Sequence, residues 1–296
     1  MAVLGIKTED SARILKAVLN RGIEFLSEQK VEPAKLLAEW LLEGLLSCKR
    51  FELYLNAQRV LSPSQIDTYF SFLRKRIEGI PSQYILGHAD FMDFTFQVNP
   101  SVLIPRPETE FLVEKTVEHV SSQGLGREKL KILDLGTGSG NIAVSLASYL
   151  PKASLVAVDI SDEALEVARL NAMRNEVSHR IRFLKSDFFE ALPTDRAFDL
   201  IVSNPPYLSR KDMEEIAPEV SKEPALALFG GEKGTEFIER FAGEGRSYLK
   251  EEGFLFFEIG ASQGNEVTQI LKGSGWTNFE VLKDYSGFDR VVKCRP

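Results

Sequence analysis

The hydrophobic pattern divides the chain into a helical first part and a longer second part in which strands and helices alternate. In residues 1–80, apolar side chains recur at three- and four-residue intervals, which is the spacing of amphipathic helices. Helices are predicted after Thr8, after Pro33 and from Ser62-Pro63 onward, because these residues suit helix starts. The apolar stripes predict a small helical core, and this part of the sequence contains no catalytic constellation.

Residues 81–110 form a segment of different character. Phe91 to Val98 alternates apolar with polar side chains, which indicates a strand or a hairpin arm. Arg106 then lies between two prolines that nearly fix its backbone. A rigid linker would explain the stiffness alone. Because a charge coincides with the stiffness, we favour a linker that also forms a wall of an active site, with Arg106 as a substrate-binding candidate.

From residue 111 onward, short apolar runs alternate with helical patterns, as in α/β folds with a mostly parallel sheet. The last two strands are joined by too few residues for a parallel crossover, so this pair must be antiparallel. Residues 1–80 are thus predicted to form a helical domain, residues 81–110 a hairpin and linker, and residues 111–296 an α/β domain. The predicted strands are residues 131–135, 155–159, 181–184, 198–203, 253–260, 279–282 and 289–293.

The tetrapeptide Asn204-Pro205-Pro206-Tyr207 follows the fourth strand of this α/β region, at the end where open sheets place their sites. Its prolines stop the strand and stiffen the residues before them. The Asn204 side-chain carbonyl and the Pro205 backbone carbonyl form a pair of acceptors that suits a planar NH2 group, and Tyr207 adds a flat face. We predict that all four residues are catalytic and bind substrate, although a proline turn that only closes a strand has the same pattern. The long polar segment that follows is interpreted as a lid or substrate wall.

A glycine-rich turn, Gly136-Thr137-Gly138-Ser139-Gly140, follows the first strand of the α/β region and precedes a helix. Such units cradle phosphates or cofactors. The dinucleotide fingerprint requires a glycine where this chain has Asn141, which disfavours a nicotinamide or flavin cofactor. We predict that the five residues of the turn bind a cofactor, with a purely structural turn as the alternative.

Two acidic residues at later strand ends extend this cofactor site. Asp159 comes about 20 residues after the glycines, where a carboxylate accepts hydrogen bonds from both ribose hydroxyls of a nucleoside. Asp187 can accept from an exocyclic adenine amine, and Phe188 can flank the ring, although Asp187 could instead cap a helix. We predict that Asp159, Asp187 and Phe188, together with Asn204, bind the cofactor.

Composition narrows the class of protein. The chain has 296 residues, of which 44% are hydrophobic and 27% charged, and its formal net charge of −7 argues against a protein that lives on duplex nucleic acid. Cys48 and Cys294 provide neither a disulfide framework nor a metal spacing. No apolar run reaches the ~18 residues of a membrane span, and a secretory signal is lacking. We expect a cytoplasmic protein with no metal site, no membrane contact and no stable nucleic-acid binding.

Taken together, the motifs resemble the class I S-adenosylmethionine-dependent methyltransferases, and more closely the bacterial peptide chain release factor glutamine methyltransferases. The resemblance covers about residues 80–296, whereas the helical beginning fits by size and helical character only. It implies a Rossmann-like class I methyltransferase sheet of seven strands, the last one antiparallel, preceded by a small all-helical N-terminal domain. The matching stretches are Tyr84 to Gly87, Val102 to Glu110, Asp134 to Asn141, Val158 to Ser161, Ser203 to Tyr207 and Asp289 to Val292.

The resemblance implies an enzyme that uses S-adenosyl-L-methionine to methylate the side-chain amide nitrogen of the glutamine in the Gly-Gly-Gln loop of release factors. The release factor would be its protein partner, held in part by the helical domain and the linker. Many members of the family carry a tryptophan where this chain has Phe188, which keeps the ring face and lacks the indole donor.

Other functions use parts of the same pattern. The tetrapeptide also serves methyltransferases that act on an exocyclic amine of a nucleic-acid base, and another protein glutamine is a further alternative. A base-modifying enzyme is disfavoured by the acidic charge and by the lack of a basic, aromatic-rich recognition domain. A nicotinamide oxidoreductase is disfavoured by Asn141. A non-catalytic adaptor with a nucleoside-binding fold is disfavoured by the intact tetrapeptide.

Overall fold

A computed structural model describes residues 11–125 and 128–296 and divides them into two compact units. One unit contains residues 11–87 together with Pro218–Lys222, and the other contains His88–Ala217 and Glu223–Pro296. Each unit has its own buried apolar core. None of the helices in the described residues combines the length and apolarity that crossing a bilayer requires.

The first unit is helical, as its apolar periodicity predicts. The helix predicted at Ser62-Pro63 is confirmed, because the Ser62 hydroxyl accepts from the Gln65 N–H at 3.1 Å and the Gln65 side chain accepts from the Ser62 N–H at 2.9 Å. The expected cap at Thr8 lies outside the described residues. The helices are α1 (Leu15–Glu28), α2 (Ala34–Leu46), α3 (Arg50–Leu55), α4 (Pro63–Ile77) and α5 (Ser82–Leu86).

Helices α3 and α5 are absent from the sequence prediction because five or six residues are too few to show a helical period. A buried charge holds α3 in place. The carboxylate of Glu39, on α2, is fully buried and accepts hydrogen bonds from Arg50 and Tyr54 of α3. A long-range ion pair of this kind leaves no local signal in the sequence.

The second unit is built on a seven-stranded sheet with the order β5-β4-β3-β6-β7-β9-β8. Neighbouring strands from β5 to β7 are parallel, and β9 is antiparallel to both of its neighbours. This confirms the predicted seven-stranded sheet with its last strand antiparallel. The strands are β3 (Lys131–Leu135), β4 (Ser154–Asp159), β5 (Ile181–Lys185), β6 (Phe198–Ser203), β7 (Leu249–Glu258), β8 (Asn278–Lys283) and β9 (Asp289–Arg295), and β1 (His88–Phe91) and β2 (Phe94–Gln97) form a separate hairpin.

Both faces of the sheet are buried, which explains why its strands read as continuous apolar runs. Ile132 faces one core cluster and its neighbour Leu133 faces the other, and the same alternation holds for Leu200 and Ile201. The helices of this unit are α6 (Pro107–Ser122), α7 (Asn141–Tyr149), α8 (Asp162–Arg174), α9 (Arg210–Glu215), α10 (Ala225–Leu228), α11 (Glu236–Glu244) and α12 (Gly264–Gly273).

The strand order positions the functional site. From β3 the chain proceeds outward to β4 and β5, and then returns to place β6 on the other side of β3. In such sheets a crevice opens at the carboxyl ends of the strands where the order reverses. The glycine turn after β3 and the tetrapeptide after β6 both lie at this point. The long polar segment after Leu208, which was interpreted as a lid or substrate wall, contains the short helices α9 and α10.

Candidate active site

The glycine turn (Gly136–Gly140) is shaped by backbone hydrogen bonds to β4 and by the conformation of its glycines. The N–H groups of Gly136 and Thr137 both donate to the carbonyl of Val158 on β4, each at 2.9 Å. Gly140, the residue before α7, has φ +81°, and a Cβ at this position would lie 3.1 Å from the Cβ of Ala168. Only glycine combines this left-handed conformation with such close packing of α7 against α8.

Asp134, which the sequence analysis did not select as a site residue, supports the glycine turn from below. Its side chain is fully buried, and its Oδ2 accepts from the Thr137 hydroxyl at 2.6 Å and from the Ala143 N–H at 3.2 Å. Burial raises its pKa to about 7. A usable signal was present, since a carboxylate stands in a mostly apolar strand, separated from the first glycine only by Leu135.

Asp159 lies at the end of β4 and is anchored by backbone donors. Its Oδ2 accepts from the Gly138 N–H at 2.8 Å and its Oδ1 from the Ser161 N–H at 3.0 Å. Burial raises the pKa of Asp159, and these hydrogen bonds oppose the rise. Because each carboxylate oxygen has a second lone pair, both can still accept a ligand hydroxyl.

Asp187 and Phe188 follow β5 and share a partner that the sequence analysis missed. Arg240, on α11, donates to the Asp187 carboxylate at 2.8 Å, and its guanidinium carbon lies 4.5 Å from the centre of the Phe188 ring. The Phe188 ring also packs against Phe237 at a centroid distance of 4.4 Å. Arg240 thereby fixes both residues that are predicted to contact an adenine ring.

A cavity of ≈ 390 Å³ brings these strand ends together. Predicted site residues from four separate stretches line it: Gly136, Gly138, Asp159, Asp187, Phe188, Asn204 and Pro206. The remaining predicted residues lie outside its lining: Thr137, Ser139, Gly140, Pro205, Tyr207 and Arg106. Residues that the prediction missed, among them Val102, Ile160 and Leu226, complete the walls.

Asn204 points its amide nitrogen into the protein. Its Nδ2 donates to the Thr109 hydroxyl at 2.9 Å. Within residues 11–125 and 128–296, neither the Asn204 Oδ1 nor the Pro205 backbone carbonyl receives a hydrogen bond. These are the two acceptors that the sequence analysis assigned to a planar NH2 group.

Behind Asn204, hydrogen bonds continue to a buried carboxylate. The Thr109 hydroxyl donates to the Glu258 Oε2 at 2.7 Å, and the Tyr207 hydroxyl lies 3.4 Å from the Glu258 Oε1. Thr109 and Glu258 are each 1% exposed. Burial raises the Glu258 pKa to about 7, opposed by the bond from Thr109 and the charge of Arg290.

The backbone of the tetrapeptide is held from its other side. The Gln263 side chain donates to the carbonyls of Tyr207 and Gly234, each at 3.1 Å. A Cβ on Gly230 would lie 2.5 Å from the Pro206 carbonyl oxygen, and one on Gly234 would lie 2.5 Å from the Tyr207 carbonyl oxygen. The glycines that follow the tetrapeptide are therefore part of its support.

Arg106 is engaged by a buried glutamate. Its guanidinium lies 2.5 Å from the Glu223 Oε1, and the Glu223 Oε2 accepts from the Ile104 N–H at 3.0 Å. The Glu223 side chain is 2% exposed, whereas that of Arg106 is 30% exposed. Glu223, which the sequence analysis missed, therefore connects the segment from Ile104 to Arg106 with the residues that lead into α10.

Two family models match parts of this chain. The family model described as "Methyltransferase small domain" matches residues 108–289, and the one described as "PrmC N-terminal domain" matches residues 17–87. The fold is shared with a crystal structure of a methyltransferase from Pyrococcus furiosus, at a TM-score of 0.51 and 20% identity over 68% of this chain and 87% of that one.

Closer relatives are found by sequence. A release factor glutamine methyltransferase of Chlorobaculum tepidum is 40% identical, covering 94% of this chain and 95% of that protein. A release factor glutamine methyltransferase of Koribacter versatilis is 39% identical, covering 95% of this chain and 98% of that protein. Since the similarity extends over nearly the whole length of both proteins, this chain belongs to the release factor glutamine methyltransferase family.

Proposed function

We propose that this protein transfers a methyl group from S-adenosyl-L-methionine to the side-chain amide nitrogen of the glutamine in the Gly-Gly-Gln loop of peptide chain release factors. The observation that carries the proposal is the free acceptor pair, the Asn204 Oδ1 and the Pro205 carbonyl, where the strand order reverses. An amide NH2 has two hydrogens to donate, and this pair matches it.

The residues around the cavity fit the cofactor. Asp159 keeps a lone pair on each oxygen for the two ribose hydroxyls, and the glycine turn lets a ligand approach the backbone closely. Phe188 contributes a ring face, and Asp187 contributes a carboxylate whose second oxygen suits an exocyclic amine. When bound, S-adenosylmethionine supplies an electrophilic methyl group on its sulfonium. Asp159, Asp187, Phe188 and the glycine turn would hold this cofactor.

The acceptor pair, the Asn204 Oδ1 and the Pro205 carbonyl, binds and activates the substrate amide. An amide nitrogen is a weak nucleophile because its lone pair is delocalised into the carbonyl. Two acceptors that bind its hydrogens fix the nitrogen in one orientation and stabilise the positive charge that develops on it. These acceptors are preorganised, because Asn204 is held by Thr109 and the following backbone by Gln263. No strong base is needed, since the proton can leave after transfer.

A base-modifying methyltransferase is the principal alternative, because an exocyclic amine is also a planar NH2 group. The net charge of −7 favours a protein substrate over a nucleic acid. The helical unit then serves as a docking module for the release factor, and a cytoplasmic location follows, since release factors act on ribosomes. The membrane and stable nucleic-acid binding have no part in the proposal.

Intact mass tests the proposal. A purified release factor, unmethylated at the start, is incubated with the enzyme and S-adenosylmethionine. We expect an increase of one methyl group, located by peptide mapping to the Gly-Gly-Gln glutamine. A release factor with this glutamine replaced serves as the control and should stay unmodified. An unchanged release factor, with methyl transfer instead to RNA or DNA in a parallel reaction, would contradict the proposal.

A further inference from the structure

We propose that Thr109 and Glu258 are positioning residues that turn the Asn204 carbonyl towards the substrate amide. This inference rests on the proposed function, because it concerns the acceptor that the glutamine amide would use. Asn204 has a nitrogen end and an oxygen end of nearly the same shape, and only the oxygen can accept from an incoming NH2 group. Catalysis therefore requires that neighbouring groups fix which end of the Asn204 amide faces the substrate.

The orientation of the Asn204 amide follows from the fact that the Thr109 hydroxyl has a single hydrogen to donate. An ionised Glu258 can only accept, so the Thr109 hydrogen is directed to its Oε2, at 2.7 Å. The Thr109 oxygen then has only lone pairs left for Asn204. The Asn204 Nδ2, at 2.9 Å, is the end that can donate to it, and the Oδ1 is left for the ligand.

Burial gives this arrangement its strength. Thr109 and Glu258 are each 1% exposed, so water does not compete for their hydrogen bonds. Thr109 lies in the first turn of α6, and Glu258 is the last residue of β7. Because a helix and a central strand hold the two groups, the orientation of Asn204 is set before the substrate arrives.

Protonation of Glu258 would reverse the arrangement. A carboxylic acid can donate to Thr109, whose hydrogen is then free to turn to Asn204 and favour the flipped amide. The groups that face Glu258 are Arg290 from β9, Glu108 and Thr109 from α6, and Tyr207 after β6. With a Glu258 pKa of about 7, the carboxylate form is lost as the pH falls below 7. Turnover should therefore fall on the acid side of neutrality.

The first test removes the Thr109 hydroxyl. Thr109→Val keeps the shape and leaves Asn204 without its acceptor, so we expect kcat to fall about ten- to a hundredfold with little change in cofactor affinity. Thr116→Val is the matched control, because Thr116 is also buried on α6 and its hydroxyl donates only to the Leu112 carbonyl. Thr109→Ser restores the hydroxyl and should recover most of the turnover. A folded Thr109→Val enzyme with kcat within threefold of wild type would overturn the inference.

The second test uses the proton on Glu258. For the wild type, single-turnover rates at saturating cofactor should decline as the pH falls from 8 to 6. Glu258→Gln keeps an acceptor oxygen for Thr109 and has no proton to gain, so its rate should be level over this interval. If the rate of Glu258→Gln declined from pH 8 to 6 as steeply as that of the wild type, the proposed role of Glu258 would be refuted, even if Thr109→Val does not fold.

A third measurement is independent of turnover. In protein labelled with ¹⁵N-asparagine, the side-chain amide signal of Asn204, assigned by its loss in Asn204→Ala, should shift with pH near 7 and in Thr109→Val. It should stay near its wild-type position in Thr109→Ser and should not shift in Thr116→Val. A signal that is invariant to pH and to Thr109→Val overturns the inference, whatever the substrate. Conversely, if this signal behaves as expected but no release factor is methylated, the proposed function fails and the orientation of Asn204 stands.

Discussion

The glycine turn and the Asn-Pro-Pro-Tyr segment (Asn204–Tyr207) meet at one cavity, yet they are held in different ways. Asp134, Thr137 and Ala143, which shape the glycine turn, lie within 9 residues of one another, and Asp159 lies 21 residues from its donor Gly138. In contrast, Asn204 donates to Thr109, which lies 95 positions away, and Thr109 donates to Glu258, which lies 149 positions further along the chain from Thr109. The glycine turn is thus held by groups near to it in the sequence, whereas the Asn-Pro-Pro-Tyr segment depends on groups that are distant in the sequence.

This difference predicts that substitutions on the two sides have different signatures. Changes in the glycine turn and at Asp159 should alter cofactor affinity, because these groups are the ones that we propose to bind and orient the cofactor. Changes in the Asn-Pro-Pro-Tyr segment and its distant supports should alter kcat, because these groups set the geometry of transfer.

The largest effect is expected from Asn204→Ala, which removes one acceptor. Turnover should fall by roughly 10²–10³, comparable to the loss of one preorganised transition-state hydrogen bond. Asn204→Asp should be about as poor, since it loses the NH2 group that donates to Thr109 and adds a second carboxylate near Glu258. Single-turnover rates at saturating cofactor measure both. An Ala variant within a few-fold of wild type contradicts the mechanism, and an active Asp variant contradicts the role of the NH2 donor.

What the sequence could predict follows the same division. The strand boundaries 131–135 and 198–203 agree with β3 and β6, because buried parallel strands read as apolar runs between turns. Asp159 and Asn204, which both line the cavity, could be predicted because each stands at the end of a recognisable strand. Thr109, Glu223 and Glu258 were missed, because each takes its role from partners that lie 95 to 149 positions away along the chain. Only the fold shows that Glu258 and Asn204 end neighbouring strands.

On the cofactor side, Asp159→Ala should weaken S-adenosylmethionine binding by about 1.5–3 kcal/mol, the scale of charge-assisted hydrogen bonds. Calorimetry on folded protein measures the effect. Asp162→Ala is a suitable control, because Asp162 pairs with Lys185 at the protein surface. If Asp159→Ala left the affinity unchanged and lowered only kcat, the division between the two sides of the cavity would not hold.

A smaller effect is expected at Gly234, which packs against the backbone of Tyr207. Gly234 and Gly287 have φ of +83° and +85°, so the backbone strain of an alanine at either position should by itself reduce stability by about 1–2 kcal/mol. Only at Gly234 would the new Cβ also meet the Tyr207 carbonyl, at 2.5 Å, whereas nothing lies within 4 Å at Gly287. We therefore expect Gly234→Ala to lower kcat about tenfold and Gly287→Ala to leave it unchanged. Thermal melts with parallel kcat measurements would show whether the two effects separate, and equal kcat losses would argue against the support.

The smallest effect is expected in the helical unit, none of whose described residues lines the cavity. Helix α3 exposes Phe51, Tyr54 and Leu55 to the extent of 59%, 52% and 76%. Exposed apolar groups this close together are typical of an interaction surface. If they contact the release factor, the double change Phe51→Ser and Leu55→Ser should raise KM for the protein substrate about three- to tenfold, through the loss of interface contacts.

The same change should leave cofactor affinity and kcat nearly intact, because it alters no residue of the acceptor pair or of the glycine turn. Met173→Ser provides the control, since Met173 is 55% exposed on α8 of the other unit. Steady-state kinetics with varied release factor, and calorimetry with S-adenosylmethionine, separate the parameters. An unchanged KM would exclude α3 from the docking surface. A fall in kcat instead would mean that the helical unit helps to orient the glutamine. The geometry of methyl transfer would then depend on more residues than those that hydrogen-bond to Asn204.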